Sequence, residues 1–279
     1  MLAALLDELN LANTVVGVDE TAYISSPTLA KGIAEGKIRS VKRGGQLDVE
    51  RVLSLKPDAL FYYQGAGGED PSFKILRVRG ILLIPVNNYL EEHPLGRAEW
   101  VRFAGRIFGV PFKADSLFAG IVDAYEQIRT RIGDRKDRPR VFCNAPFQGV
   151  WDQPRAGNYL ATLIRDAGGE YLWADAPGSG TMSLQPEAVL LKAKHADVWI
   201  NCNDYTEKQQ LALEDPRLAQ FWAFRNNRVY APNARRQQGG ANPYWEQGVV
   251  RPDLVLNDLQ QIFSDTAANG NLYFYRKLR

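Results

Sequence analysis

Leu47-Asp48-Val49-Glu50-Arg51-Val52-Leu53-Ser54-Leu55-Lys56-Pro57-Asp58-Ala59-Leu60-Phe61-Tyr62-Tyr63 holds one complete α/β step. Its first half carries apolar residues at helical spacing, and Lys56-Pro57-Asp58 ends the helix, because proline has no amide proton and its ring collides with the preceding turn. The apolar run 59–63 that follows has the length of a buried strand. A helix over 73–79 and a strand over 81–86 repeat the step, and such alternation predicts a mostly parallel sheet. Upstream, Leu2, Leu5, Leu6 and Leu9 form the stripe of a helix leading into a strand at 15–18. A polar loop with Tyr23 and Pro27 and a glycine-punctuated stretch to Gly45 separate that strand from the opening segment. Downstream, 91–108 reads as a helix entered through Pro94.

The segment 113–132 has few breakers and places Leu117, Ile121, Ala124, Ile128 and Ile132 on one side. At a rise of about 1.5 Å per residue such a helix reaches about 30 Å, enough to cross a whole domain. The charged run Gly133-Asp134-Arg135-Lys136-Asp137-Arg138-Pro139 ends it, and a second α/β series starts at Val141. That series predicts strands at 141–143, 171–173, 198–201 and 228–231, and helices at 159–167, 186–193, 216–222 and 252–263. The expected domains are an N-terminal lobe 1–112, a bridging helix 113–135 and a C-terminal lobe 136–279. An internal repeat agrees with two halves: Leu47-x-x-Glu50-x-Val52-Leu53 leading to Asp58 matches Leu184-x-x-Glu187-x-Val189-Leu190 leading to Asp197. It sets Glu50 and Glu187 at equivalent first-turn positions.

Composition narrows the function by exclusion. Hydrophobic residues at 45% and charged residues at 24% are ordinary for a globular chain. Thirty-four basic against 32 acidic residues leave +2, no bulk field for nucleic acid or an anionic membrane. No apolar run reaches the roughly 18–20 residues that span a bilayer. The opening residues lack the basic flank and small-residue cleavage site of a signal peptide. Cys143 and Cys202 follow apolar runs and read as buried thiols, with a disulfide left open. His93 and His195 lack zinc-ligand spacing to either cysteine.

Gly65-Ala66-Gly67-Gly68 follows a strand as a dinucleotide loop would, but Asp70 stands where the third glycine belongs and its carboxylate would repel a phosphate. No P-loop or Gly-x-Ser-x-Gly motif is present. His195 reads as structural, and His93, before Pro94, is the better functional histidine. Loop aromatics are more informative, since an exposed ring needs a surface or ligand to cover it. Tyr23, Tyr63, Tyr89, Trp151, Tyr205, Tyr244 and Trp245 all follow predicted strands, where α/β folds place their binding crevice. Arg235 and Arg236 add a cationic fork suited to an anionic chelate.

In order along the chain, Val15-Val16-Gly17-Val18, the segment from Leu47 to Asp58, Ala167-Gly168-Gly169 and Arg251-Pro252-Asp253-Leu254-Val255-Leu256 resemble the periplasmic binding proteins for ferric siderophores, haem and vitamin B12. Glu92-His93-Pro94-Leu95-Gly96-Arg97-Ala98-Glu99-Trp100 and Asn242-Pro243-Tyr244-Trp245-Glu246 are similar to a branch that binds iron complexes. The resemblance implies an α/β fold of two Rossmann-like lobes with parallel-type sheets, bridged by a single long rigid helix, that takes its ligand between them with little closure. It implies the capture component of an ABC importer, with Glu50 and Glu187 meeting arginines of a membrane permease. The plainer explanation of both glutamates is a carboxylate favoured by the helix dipole. Tyr23 matches a ligand-flanking tyrosine of the vitamin B12 binder, while the family's two tryptophans fall near Arg43 and near Thr181. Arg43, Arg235 and Arg236 therefore favour a ferric siderophore over cobalamin, and haem would draw an axial ligand from Tyr23 or His93. The resemblance further implies a monomer that is periplasmic or membrane-anchored outside the cytoplasm, with a small-molecule metal chelate and a permease as partners and no nucleic acid. It implies no catalytic residue, no cofactor beyond the iron-siderophore, haem or cobalamin ligand, and no metal site of side chains. A signal peptide and a first strand would normally precede Met1. An enzyme acting on a metal complex and a sugar or peptide binder are the competing classes.

Overall fold

The structure, a computed structural model, describes residues 2–64, 69–133, 136–266 and 272–279; the glycine cluster at 65–68 lies outside them. The class is α/β, with small parallel sheets and several two-stranded antiparallel pairs among the helices along the chain. The chain divides into two compact units, one of Met1–Glu91, Glu99–Phe118 and Arg236–Val250, the other of Glu92–Ala98, Ala119–Arg235 and Arg251–Arg279. The long helix Pro111–Ile132 gives its first turns to one unit and the remainder to the other.

In the first unit, Leu5 and Leu6 of helix Leu2–Glu8 and Leu9 just after it are buried with Val101, Ala104, Ala114 and Val250, and Leu2 is partly buried against them. The close approach of two helices depends on Gly105, since a Cβ there would sit 2.2 Å from the Cβ of Ala114. Gly17–Val18 pairs in parallel with Arg39–Ser40, and Ala59–Tyr62 with Leu82–Pro85. Val41, Val52, Phe73, Leu76 and Ile81 form the core beneath. The opening segment folds as read: Asp48 accepts from the Arg51 amide at 3.1 Å, Val49–Leu55 is helical, and Lys56 ends it in the left-handed region at φ +48°. Helix Pro27–Ala34, which the glycine-punctuated reading leaves out, begins at a Ser26 side-chain cap with Pro27 at its first position. Gly44 and Gly45, both at positive φ, turn the hairpin between Lys42–Arg43 and Gln46–Leu47.

In the second unit Arg140–Cys143 is the central strand, parallel to Val198–Ile200 on one side and Glu170–Tyr171 on the other. Trp199 also bridges to Val229, and Tyr230–Ala231 pairs antiparallel with the C-terminal strand Arg276–Lys277. Phe142, Trp151, Trp199 and Phe221 pack ring against ring at the centre, with centroids 4.9–6.1 Å apart. The predicted helix over 216–222 is instead a 3₁₀ turn, Pro216–Gln220, and a short helix, Trp222–Arg225. Phe221 lies between them in an extended conformation, because its ring is drawn into that aromatic centre. The strand expected over 171–173 stops at Tyr171, and Trp151–Pro154 pairs antiparallel with Thr181–Leu184. Cys143 and Cys202 are free, buried and unpaired, and burial pushes both thiols up.

Candidate functional site

Three strand ends of the first unit carry exposed rings. Beyond Gly17–Val18 the chain makes the 3₁₀ turn Thr21–Tyr23, leaving the Tyr23 side chain 67% exposed. Tyr63 follows Ala59–Tyr62 directly, and Tyr89 lies in the turn Asn88–Leu90 after Leu82–Pro85. These two rings meet edge to face, centroids 5.8 Å apart. The Tyr89 hydroxyl donates to the Gln64 carbonyl at 2.9 Å, and the Gln64 amide donates to the Asn87 side-chain oxygen at 3.2 Å, so the pair is fixed by the backbone. Trp245, on helix Pro243–Val250 of the same unit, is 60% exposed. Tyr244 is a correction to the sequence reading: it is buried, and its ring packs edge-on against Trp245 at 4.7 Å rather than lining a surface. Arg43 is exposed, but its guanidinium reaches the Asp48 carboxylate at 3.0 Å.

The second unit differs in chemistry. Trp151 is the clearest correction: it is 0% exposed, lies within a strand, and donates its indole N–H to the Cys143 carbonyl at 3.0 Å. It therefore belongs to the core and not to any binding wall. Thr181 is exposed, opposite Pro154 in its strand pair. Tyr205 is half-buried, and burial together with a hydrogen bond to Glu214 raises its phenol above the usual value. Its carbonyl accepts from the Asn233 side-chain amide at 2.9 Å, while the buried Asn233 side-chain oxygen has no partner. Arg235 stacks over the Tyr273 ring, 4.0 Å from its centroid, and its neighbour Arg236, which belongs to the first unit, is exposed. Sequence reasoning missed two side chains. Phe147, in the turn after Arg140–Cys143, is exposed and has the same signal as the others, a ring directly after an apolar strand. Tyr273 had no such signal, since it reaches Arg235 only through the fold of the C-terminal segment.

That segment is tied down by Asp258, a fully buried carboxylate that accepts the amides of Tyr273, Phe274 and Tyr275 at 2.8, 2.6 and 3.1 Å. The Tyr275 hydroxyl then donates to Asn201, which follows Val198–Ile200, at 2.5 Å.

The two repeat glutamates both fall in first helical turns, as their spacing implies. Glu50 is exposed and makes no ion pair among the described residues. Glu187 is 2.7 Å from Arg217, whose hydrogen bond holds its carboxyl below the usual range, and Arg217 also grips Asp215 at 2.7 Å. His93 accepts from the Leu95 amide at 3.2 Å and thereby caps helix Pro94–Ile107. Among the described residues no group of three or more His, Cys, Asp or Glu side chains is placed to hold a metal ion, and no helix is long and apolar enough to cross a membrane.

Residues 2–235 match the sequence profile of a family described as periplasmic binding protein. An uncharacterized lipoprotein of Methanocaldococcus jannaschii is 27% identical over 251 residues, covering 88% of this chain and 58% of the relative. A second uncharacterized protein of that organism is 27% identical over 203 residues, 70% of this chain and 60% of its own. The chain thus spans less than two thirds of these relatives. Among solved structures, a periplasmic heme binding protein from Pseudomonas aeruginosa superposes with a TM-score of 0.72 at 18% identity, over 100% of this chain and 95% of that one. The periplasmic heme-binding protein RhuT from Roseiflexus in apo form gives 0.70 at 21% identity, over 95% of each chain. IsdE of S. aureus complexed with heme gives 0.67 at 20%, over 94% and 95%. At these identities the likeness is one of fold.

Proposed function

We propose that this chain, which belongs to the periplasmic binding protein family, captures a flat iron chelate of the haem type outside the cytoplasm and hands it to an ABC permease. One observation carries the choice of ligand: Tyr23, Tyr63, Tyr89 and Trp245 are exposed in the first unit, three of them at carboxyl ends of parallel strands. Exposed aromatic faces suit a planar apolar ring system, which covers them and is desolvated in turn. The names of the heme-binding neighbours support the same reading. A ferric siderophore, the ligand favoured by Arg43, Arg235 and Arg236, keeps less support, because Arg43 is engaged by Asp48 and Arg235 by Tyr273.

Delivery would run through Glu50 and Glu187, each on its own unit. An extracytoplasmic, membrane-anchored location is supported by the lipoprotein relatives. The protein acts as a monomeric carrier without catalysis.

The test is a calorimetric and absorbance titration of the purified chain with haemin, a ferric hydroxamate, a ferric catecholate and cobalamin. The expected result is haemin binding at micromolar Kd or tighter, at one per chain. No ligand binding better than about 1 mM, roughly 4 kcal/mol, refutes capture altogether. A hydroxamate or catecholate that binds more tightly than haemin refutes the planar-chelate preference.

A further inference from the structure

Helix Pro243–Val250 does more than carry Trp245. Its Glu246 carboxylate accepts both the backbone amide of Ser25, at 2.5 Å, and the Ser25 hydroxyl, on the same oxygen. Ser25 is buried, 6% exposed, so these donors have little access to water as an alternative. The Ser25 carbonyl is engaged as well, accepting from the Gln237 side-chain amide at 2.8 Å. All three polar groups of this residue are thus held by the segment Arg236–Val250, although more than 210 residues of chain intervene. On one side of Ser25, two residues back, is exposed Tyr23; on the other, Ser26 caps helix Pro27–Ala34. Next to Glu246 is exposed Trp245, its ring set by buried Tyr244.

A carboxylate is well suited to this task. A single charged oxygen that receives an N–H and an O–H makes two charge-assisted bonds, which are shorter and stronger than neutral ones. The interaction fixes where the loop lies, while the Tyr23 and Trp245 side chains stay exposed. It adds to the packing of Ile24 against Ala12, Leu29 and Ile38 in holding the chain beside the turn Thr21–Tyr23, and an exposed tyrosine on a looser loop loses more conformational entropy when a ligand immobilises it.

We infer that Glu246 is a positioning residue of the ligand site: by clamping Ser25 it holds Tyr23 and Trp245 as one preorganised aromatic wall, with Gln237 as the second arm of the clamp. The inference rests on the reading of Tyr23 and Trp245 as ligand-contacting, and the test separates the two. Haemin is the probe, followed by quenching of tryptophan fluorescence and by its absorbance, for the wild type, Y23A, W245A, E246A, E246Q, S25A and the double variant E246A/Y23A.

E246A is expected to weaken haemin binding about tenfold and S25A about threefold. E246Q, which keeps an oxygen acceptor, is expected to stay within about threefold of wild type. In the Y23A background E246A should add almost nothing, because two residues acting through one contact are not additive. Deuterium exchange in the ligand-free chain should show faster exchange of the Ser25 amide in E246A than in E246Q. A full additive loss for E246A in the Y23A background, or unchanged Ser25 exchange, overturns the inference. If Y23A and W245A bind haemin as the wild type does, the wall itself is refuted, whatever Glu246 does. Should E246A fail to fold, S25A in the two Tyr23 backgrounds decides the same question, and an equal loss in both overturns it.

Discussion

Replacing Asp258 tests how the C-terminal segment is held against the second unit. The carboxylate is fully buried and accepts three backbone amides, those of Tyr273, Phe274 and Tyr275, and Phe274 and Tyr275 are themselves buried. In D258A those donors lose their acceptor, and leaving one buried donor unpaired costs about 1–3 kcal/mol. Some relaxation toward water reduces the sum of three such losses, so the expected destabilisation is about 3–5 kcal/mol. D258N retains an acceptor oxygen but sets an NH2 group among N–H donors, and should cost about 2 kcal/mol. The pH dependence gives a sharper reading. Burial pushes the Asp258 carboxyl up, against the three amide bonds that lower it. A carboxyl whose value is raised on folding binds a proton more tightly in the native state than in the unfolded one. Its contribution is therefore favourable in acid and is lost as pH rises from the ordinary aspartate range to the raised folded value. Exposed carboxylates held low by arginine or lysine, such as Glu187 and Asp115, run the opposite way, but they are common to wild type and variant. Urea melts of wild type and D258N from pH 3 to 8 should thus give a stability difference that narrows as pH rises through this window. A difference that widens with pH would show that the three amide bonds outweigh burial, and the argument from desolvation would be wrong.

Two further predictions concern the paired glutamates and the helix contact at Gly105. The double variant E50A/E187A should keep haemin affinity within about twofold and lose transport in an uptake assay with the cognate permease; undiminished uptake removes the docking role from both residues. Gly105→Ala should destabilise by about 1–3 kcal/mol through overpacking against Ala114. The pair G105A/A114G should recover most of it in a denaturant melt, and no recovery would mean that another neighbour, such as the Val110 carbonyl, sets the limit.

The parts of the fold that could be read directly were those in which local chemistry and burial agree. The segment from Leu47 to Tyr63 carries its own cap, its own stop and an apolar strand, and it forms as those signals require. Helix Pro252–Phe263 is another such case, with proline at its first position and a continuous buried face. Reading was poorer where tertiary contacts select the conformation. Helical spacing ran on through Phe221, yet the aromatic centre takes that ring and breaks the helix there. Trp151 satisfied the rule of a ring after a strand, and so did Phe147; the difference is a backbone pairing with Thr181–Leu184 that turns Trp151 inward. No local pattern distinguishes the two, because the partner strand arrives some thirty residues later.

The same reasoning explains why the candidate site was legible as residue types and not as an arrangement. Tyr23 and Trp245 could each be singled out as an uncovered ring, but the strongest link between their segments is a glutamate bonded to a serine, two residue types that carry no sequence signal for pairing. Glu246 lies in the first turn of its helix, where the dipole already accounts for a carboxylate. Its contact with Ser25 becomes visible only once Arg236–Val250 is seen to pack with the first unit while its flanking chain packs with the second. Arg235 is the mirror case: its charge pointed to an anionic ligand, and the fold gives it an aromatic face in Tyr273. Contacts across long stretches of sequence therefore moved the preferred ligand from an anionic chelate recognised by arginines to a flat one recognised by exposed rings.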